Sequence, residues 1–356
     1  MERTTAKKNK YEIDMCNGTI MDKLISFSLP LMLSGILQLM FNAVDIIVVG
    51  RFSGSQALAA VGSTSALINV FTNLFIGISL GANVLTARFY AAGREKEVSE
   101  TVHTAITLAL VSGIVMALVG LVFSRGALAL MGTPDDVIGL SALYMRIYFL
   151  GMPFFMLYNY GAAILRAVGD TKRPLLFLVI AGVINACLNM VLVIVFKLGV
   201  AGVAIATVIS QMISCVLVLR CLCQSKTSYR LRFSELGMKG YYLKQIFSVG
   251  VPAGIQSTVI NFSNVLLQSS VNSFGSTAMA GYTAANNLLG FLYVSVNSIT
   301  QACMSFTSQN YGVGKLKRMD RVLADCMILS VVVAVVLGCI CYGFGPEILQ
   351  IYTEDA

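Results

Sequence analysis

Long apolar runs separated by short polar segments follow one another along nearly the whole chain. Each run is long enough to cross about 30 Å of hydrocarbon as a helix. The runs cover residues 24–49, 57–82, 98–123, 138–159, 174–196, 200–220, 246–271, 278–304 and 322–344. The pattern therefore predicts nine membrane-spanning helices in an all-α integral membrane protein, a polytopic helical bundle.

The composition supports this prediction. Hydrophobic residues make up 57% of the 356 residues and charged residues only 12%, about half the charged share of a soluble domain. The mean hydropathy is +0.80. Such a chain cannot build the polar surface of a soluble protein, so the net charge of +8 indicates membrane topology rather than nucleic-acid binding.

The positive charges predict the orientation. With the loops assigned alternately to two sides, 21 of the 25 Lys and Arg residues fall on the side of the N-terminus, and Arg51, Arg125 and Lys197 fall on the other. Lys and Arg accumulate in cytoplasmic loops, so we expect a multi-pass protein of the cell (plasma or inner) membrane with a cytoplasmic N-terminal tail over residues 1–23. The tail lacks the apolar core and cleavage site of a signal peptide.

Two segments of the chain resemble each other. Residues 30–93 align with residues 252–314 at an offset of 221 to 222, which pairs Pro30 with Pro252. Other matched pairs are Phe52 with Phe274, Thr86 with Thr307, Tyr90 with Tyr311 and Gly93 with Gly314. Six predicted helices separate the copies, so both cross the membrane in the same direction, as in the parallel repeats of secondary transporters. We therefore predict two pseudo-symmetric six-helix lobes with the substrate bound between them.

The repeat also gives the domain organisation. We expect an N-terminal six-helix lobe over residues 24–220, a basic cytoplasmic linker over 221–245, and a C-terminal lobe over 246–356 with only three helices. The final residues, TEDA at 353–356, resemble TPDD at 133–136, where the first lobe continues into its fourth helix. The repeat thus predicts that about three C-terminal helices are missing from the second lobe.

One acidic residue lies clearly inside a predicted span. Asp45, in the first span, costs a few kcal/mol unless it is paired, hydrated or neutralised, so it is a candidate cation- or proton-binding residue. Gln38 and Asn42 lie on the same helix face and are candidates to line a substrate cavity. The alternative is that Asp45 is an outer-interface carboxylate hydrated from the membrane surface.

The fifth predicted span contains a pair of amides. Asn185 and Asn189 are four residues apart and share one helix face. Together with Asp45 they can supply oxygen ligands to sodium, or hydrogen bonds to a protonated carboxyl. The alternative is ordinary hydrogen bonding between helices.

Other residues within the spans are candidates for lining a substrate cavity. The polar ones are Asn69, Asn73, Gln256, Asn261, Asn264 and Gln268. Tyr144 and Tyr148 would suit a cationic amphiphile through cation–π contacts, and packing against lipid or protein is the alternative. Arg146 lies within a span, and we expect it to extend to the outer interface.

The sequence lacks the motifs of ATP-driven and enzymatic chemistry. No G-x-x-x-x-G-K-[ST] loop is present, so transport must use an ion gradient, and we expect no cofactor beyond H⁺ or Na⁺ as coupling ion. The sequence GISLG at 77–81 matches the hydrolase string G-x-S-x-G, but it lies in mid-span, where small residues also form packing faces. We expect His103 at the membrane interface, and nine Cys with one His form no zinc site.

Several motifs resemble those of the multidrug and toxic compound extrusion (MATE) transporters. They are LP at 29–30, VDIIVVG at 44–50, ALAAVG at 57–62, LRAVGDTKRP at 165–174 and GVAIAT at 202–207. The likeness runs from about residue 20 to the end of the chain. It implies two six-helix lobes around a V-shaped cavity that opens alternately to the two faces of the membrane, and export of cationic amphiphilic drugs in exchange for protons or sodium.

The resemblance also implies roles for particular residues. Asp45 matches the family's first-helix carboxylate, and Asn185, Asn189 and Thr207 match positions that accompany it. Phe41 replaces a Tyr found in some members, and the seventh helix has no counterpart of the Glu of another subgroup. We therefore expect H⁺ or Na⁺ binding at Asp45, small organic cations as substrates, and a monomer that uses no ATP.

Two other functions stay open at this point. A flippase for lipids or lipid-linked oligosaccharides has a related fold, but it should have cationic residues in its cavity to bind a pyrophosphate, and the spans offer only Arg146. A non-transporting membrane scaffold or receptor predicts neither duplicated helices nor a buried acid. A cation-coupled exporter, and not an enzyme, is the preferred prediction.

Overall fold

The structure, a computed structural model, describes residues 11–272 and 276–343. Within these ranges the chain is all-helical, as predicted, and contains no strand. The helices are α1 (Met21–Ser53), α2 (Ser55–Ala91), α3 (Glu95–Leu130), α4 (Asp135–Leu150), α5 (Met152–Ala167), α6 (Lys172–Asn189), α7 (Gly199–Gln224), α8 (Gly240–Asn272), α9 (Ser276–Gly312) and α10 (Leu316–Gly343). Phe274 and the motif at 353–356 lie outside the described residues.

The predicted spans correspond to these helices, with two differences. The fourth span, expected as one helix over 138–159, is the pair α4 and α5, which is bent by 48°. Gly151 separates the two helices, and Pro153, which lacks a backbone N–H, lies in the first turn of α5. The fifth span is α6 followed by a π-helical turn, Met190–Val195.

Not all of these helices are equally apolar. Six helices among the described residues are long and apolar enough to cross a membrane, and the bent pair α4–α5 would raise this number to seven. The remaining two, α8 and α9, are long enough but less apolar, because amides and hydroxyls interrupt them.

The helices reproduce the sequence repeat. Helices α1 and α8 each contain 33 residues, and each has an internal proline, Pro30 or Pro252. Helices α2 and α9 each contain 37 residues. We refer to α1–α7 as the first lobe and to α8–α10 as the second lobe.

The two lobes touch between the middle of the bundle and the end where α1 begins and α2 ends, which we call the basic end. Near the middle, α2 crosses α8 so closely that a Cβ atom at Gly77 would lie 2.2 Å from Cα of Gly254; one turn nearer the basic end, a Cβ atom at Gly81 would lie 2.2 Å from the carbonyl oxygen of Ile246. Gly77 and Gly81 therefore form a packing face. Ser79, between them, donates to the carbonyl of Ile76 in its own helix (2.6 Å).

Contacts between α9 and the first lobe also lie toward the basic end. The rings of Phe27 and Phe306 pack edge to face, with centroids 5.6 Å apart. The hydroxyl of Ser305 donates to Oδ1 of Asn83 (3.1 Å), and Nε2 of Gln309 donates to the carbonyl of Ala167 (2.7 Å). Apolar and polar contacts thus hold the lobes together at this end.

Candidate functional site

Three helices of the first lobe bring four polar side chains together. Helix α1 carries Asp45, α6 carries Asn185 and Asn189, and α7 carries Thr207. The two asparagines lie one turn apart on the face of α6 that points into the lobe, and both are buried. We refer to these four residues as the Asp45 cluster.

Hydrogen bonds connect all four members of the cluster. Nδ2 of Asn189 donates to Oδ1 of Asp45 and to Oδ1 of Asn185 (3.1 Å). Nδ2 of Asn185 lies 3.5 Å from Oγ1 of Thr207. The Thr207 hydroxyl is shared between Oδ2 of Asp45 (3.4 Å) and the carbonyl of Val203 (3.0 Å).

The cluster compensates the Asp45 carboxylate with neutral donors alone. Among the described residues, no Lys, Arg or His forms an ion pair with Asp45. One oxygen of the cluster is unused, because Oδ1 of Asn189 is buried without a hydrogen-bond partner. A carboxylate beside a free acceptor oxygen suits a proton or a small monovalent cation, since either would supply the missing positive charge.

A close contact brings α1 against α6 next to the cluster. The ring of Phe41, one turn before Asp45, lies where Gly182 would carry a side chain, and a Cβ atom there would be 1.9 Å from the ring. Only glycine leaves room for this ring. In the sequence alone, Phe41 is only a departure from the family pattern, and Gly182, three residues before Asn185, is the signal that could have indicated the contact.

The π-helical turn Met190–Val195 begins directly after Asn189. Such turns insert an extra residue into a helix and are frequent at functional sites. This turn was not predicted, because hydropathy is continuous through the apolar sequence MVLVIV.

Two tyrosines of α4 lie near the cluster. The rings of Tyr144 and Tyr148 are stacked, with centroids 6.1 Å apart and planes 26° apart. Both phenols lie within electrostatic range of the Asp45 carboxylate. The structure thus brings together two predicted cavity residues and the predicted cation site.

The other predicted cavity residues are more dispersed, and among the described residues none of them is hydrogen-bonded to Asp45. The side chains of Asn73 and Asn261 are half-buried. The exposed ones are those of Gln38, Asn42, Asn69, Gln256 and Asn264. Asn261 donates to the carbonyl of Ser257 in its own helix (2.8 Å). Arg146 is also exposed, and the side chain of Gln268 lies outside the described ones.

His103, in the third turn of α3, is buried within the protein and is only 3% exposed; its expected position at the membrane interface stays a prediction. Its Nδ1 pairs with the carbonyl of Ser99 (2.6 Å), and its Nε2 accepts from the backbone N–H of Arg232 (3.0 Å) in the segment between α7 and α8. The described residues contain no cluster of three or more His, Cys, Asp or Glu suited to a metal. His103 therefore has a structural role in holding that segment on α3.

Comparisons with known proteins agree with the fold. A family model described as MatE matches residues 30–191 and 252–356. The probable multidrug resistance protein YoeA of Bacillus subtilis (strain 168) is 33% identical over 338 residues, which are 92% of this chain and 73% of that protein. The multidrug export protein MepA of Staphylococcus aureus (strain NCTC 8325 / PS 47) is 22% identical over 336 residues, 93% of this chain and 73% of that protein.

A solved structure extends the comparison to three dimensions. An outward-facing multidrug resistance MATE family transporter of the MOP superfamily superposes with a TM-score of 0.90 at 21% identity, covering 98% of this chain and 77% of that chain. At this identity the likeness shows the fold. The chain spans about three quarters of the length of the proteins it matches.

Proposed function

The chain belongs to the MATE family of multidrug efflux transporters, multi-pass membrane proteins that are not enzymes, and on that premise we propose that it is a cation-coupled antiporter. It exports cationic amphiphilic drugs or metabolites in exchange for H⁺ or Na⁺ by alternating access. The observation that carries the proposal is the buried contact between Asp45 and Asn189, with the unused Asn189 oxygen beside it.

The coupling step follows from the charge balance of the Asp45 cluster. Without a bound cation, the carboxylate accepts hydrogen bonds from Asn189 and Thr207. A proton on Asp45 would turn one oxygen into a donor, and Oδ1 of Asn189 is the free acceptor for it. Sodium would instead bind the carboxylate and amide oxygens. Either cation changes the contacts among α1, α6 and α7, and so shifts the balance between outward- and inward-open states.

The substrate class follows from the exposed amides and the tyrosines within the helices. Exposed amides at membrane depth occur on both lobes, and their cost in hydrocarbon favours a water-filled cleft. Tyr144 is buried in the core, whereas Tyr148, which stacks on it, is half-buried and offers an aromatic face near the only acid of the cluster. Aromatic faces beside a carboxylate suit organic cations. The organic cation would be released when the coupling cation binds Asp45 and neutralises its negative charge.

The proposal extends to the setting of the protein. The concentration of Lys and Arg at the basic end favours a cell membrane location with this end in the cytoplasm. The contacts between the lobes would then close the cytoplasmic side, as expected of an outward-open state. We further propose a monomer that uses no ATP and no cofactor.

The test is drug efflux driven by an imposed ion gradient. The parent and Asp45→Asn proteins are reconstituted into proteoliposomes containing ethidium, and a proton gradient or a sodium gradient is applied separately. We expect efflux by the parent under one gradient and a loss of at least about tenfold in Asp45→Asn, because the neutral amide has no negative charge for a proton or a sodium ion to neutralise. Asp22→Asn is the matched control, since Asp22 is an exposed acid on the first turn of the same helix.

The outcomes separate the parts of the proposal. The gradient that drives the parent identifies the coupling cation. Efflux by Asp45→Asn at the parental rate would reject Asp45 as the coupling residue. Absence of efflux by the parent under both gradients would reject cation-coupled export of this drug class.

A further inference from the structure

We propose that residues 11–18, which we call the N-terminal strap, form a latch that ties the two lobes together at the basic end and must release before that end opens. The strap lies before α1 and crosses from one lobe to the other. The proposal rests on the alternating access of the proposed function, but it concerns a different part of the molecule from the Asp45 cluster.

The first half of the strap binds the first lobe. The Glu12 carboxylate accepts hydrogen bonds from the hydroxyls of Tyr90 and Tyr229, each at 2.8 Å. The backbone N–H of Ile13 donates to the carbonyl of Gly169 (3.2 Å). The guanidinium of Arg173 lies over the ring of Tyr11, 5.5 Å from its centroid.

The second half of the strap binds the second lobe through its backbone carbonyls. Nδ2 of Asn310 donates to the carbonyl of Met15 (3.1 Å). Nζ of Lys315 donates to the carbonyl of Cys16 and to Oδ1 of Asn17, both at 2.8 Å. The guanidinium of Arg318 donates to three carbonyls, those of Met15 (3.4 Å), Asn17 (3.2 Å) and Gly18 (2.9 Å).

A buried side chain adds an apolar contact to these polar ones. Met15 is fully buried in a cluster that includes Phe27 of α1, Phe306 of α9 and Val322 of α10. Its removal from this cluster would expose apolar surface to water, which opposes release of the strap. The strap is therefore packed into the seam between α1 and the second lobe as well as hydrogen-bonded across it.

Three local features fit the strap to its binding site. Gly169 has a φ of +98°, and a Cβ atom there would lie 2.6 Å from the carbonyl oxygen of Ile13, so a side chain would push the strap away. Within the strap, Oδ1 of Asp14 accepts from the backbone N–H of Cys16 (3.0 Å) and so fixes the turn. Burial, reinforced by the Glu12 carboxylate, raises the pKa of Tyr229, which keeps its hydroxyl available as a donor.

These contacts have a geometric consequence for transport. The anchors of the first half lie on α2, on α6 and the turn before it, and on the segment after α7, whereas the anchors of the second half lie on α9, on α10 and on the turn between them. Separation of the lobes at the basic end would stretch the strap between them. One half must therefore detach before the end can open, and the state closed at the basic end is favoured while both halves are bound.

The experiment measures opening at the basic end directly. Ser305 lies between the lobes and is only 2% exposed, so a thiol introduced there by Ser305→Cys reacts only when the lobes separate. The full chain is kept in detergent, and site-resolved mass spectrometry follows the rate at which N-ethylmaleimide alkylates this thiol. Into this background we introduce Lys315→Ala with Arg318→Ala. We expect the alkylation rate to rise about tenfold, because the charged donors to four backbone carbonyls of the strap are lost.

Matched controls separate the latch from a general loss of charge. Lys317→Ala with Arg321→Ala removes the same two charges from exposed positions of the same region, and we expect the rate to stay within about twofold of the background. Glu12→Ala tests the other half of the strap, and we again expect a clear rise. Its control is Asp22→Ala, which removes an exposed acid at the same end.

Each outcome decides the proposal. Faster alkylation in both strap variants, with both controls unchanged, supports the latch. An unchanged rate in either folded strap variant, or an equal rise in the controls, overturns it. If the double variant elutes as an aggregate, Glu12→Ala decides alone. Because alkylation needs no drug gradient, a latch response without efflux would reject the antiport proposal and leave the latch standing.

Discussion

Helices α1 and α8 occupy equivalent places in the two repeats but differ in their chemistry. They have the same length and the same internal proline. At the offset of 222 that pairs Pro30 with Pro252, however, Asp45 corresponds to Leu267, which is exposed. The duplicated helix has kept its shape and lacks the acid.

This difference separates the scaffold from the site. The close crossing of the lobes uses glycines from both repeats, Gly77 and Gly81 on α2 and Gly250 and Gly254 on α8. The Asp45 cluster uses side chains from α1, α6 and α7 alone. We therefore expect changes at the glycines to act mainly on stability, and changes in the cluster to act mainly on coupling.

The largest effect should come from the shared scaffold. In Gly77→Ala the new Cβ atom would lie 2.2 Å from the backbone of Gly254, so one helix must shift. We expect a fall of about 3 kcal/mol in the free energy of unfolding, measured by thermal or denaturant unfolding in detergent. The control is Gly62→Ala in the same helix, where no atom lies within 4 Å of the added Cβ. Equal stability of the two variants would contradict the close crossing.

An intermediate effect should come from the amide that contacts Asp45. Asn189→Ala removes the donor to the carboxylate and the free oxygen beside it. Loss of a buried partner to a charged group costs about 1–3 kcal/mol, so we expect gradient-driven efflux to fall about tenfold or more. Asn159→Ala removes a half-buried amide of α5 that donates to the Phe155 carbonyl in its own helix (2.8 Å), and it should leave efflux within about twofold. An equal loss in Asn159→Ala would contradict a specific role for Asn189.

The smallest effect should come from the hydroxyl of the cluster. Thr207→Val keeps the shape of the side chain but removes a bond to Asp45 that it shares with the carbonyl of Val203. Such a hydrogen bond contributes about 0.5–1.5 kcal/mol. Its loss should therefore change the cation concentration for half-maximal efflux by about two- to tenfold. Thr258→Val on α8, whose hydroxyl donates to the Gly254 carbonyl in its own helix (2.9 Å), should leave it unchanged. The same shift in both variants would argue against a specific role for Thr207.

Much of the fold was predictable because hydrophobic length and loop charge record each crossing of the membrane. The bend between α4 and α5 was not, since Gly151 and Pro153 alter the backbone without altering the hydropathy. The π-helical turn after Asn189 was missed for the same reason. Hydropathy reports the surroundings of a helix and carries little information on its internal hydrogen bonds.

The residues of the Asp45 cluster could be predicted from the sequence, but the hydrogen bonds among them could not. Helical periodicity placed Asn185 and Asn189 on one face, and the family resemblance added Thr207. Nothing in the spacing showed that Asn189 would reach Asp45, 144 residues away, or that one of its oxygens would lack a partner. The roles of these residues in coupling stay predictions until the efflux experiments are done.

The N-terminal strap bears on the order in which the protein is made. Its partners Asn310, Lys315 and Arg318 lie about 300 residues further along the chain, so at about 5–20 residues per second the ribosome reaches them about 15 to 60 seconds after the strap. Until then the strap has only half of its binding site. The strap is thus made well before the residues that bind its second half, and in a nascent chain the basic end stays unfastened until α10 has been synthesised.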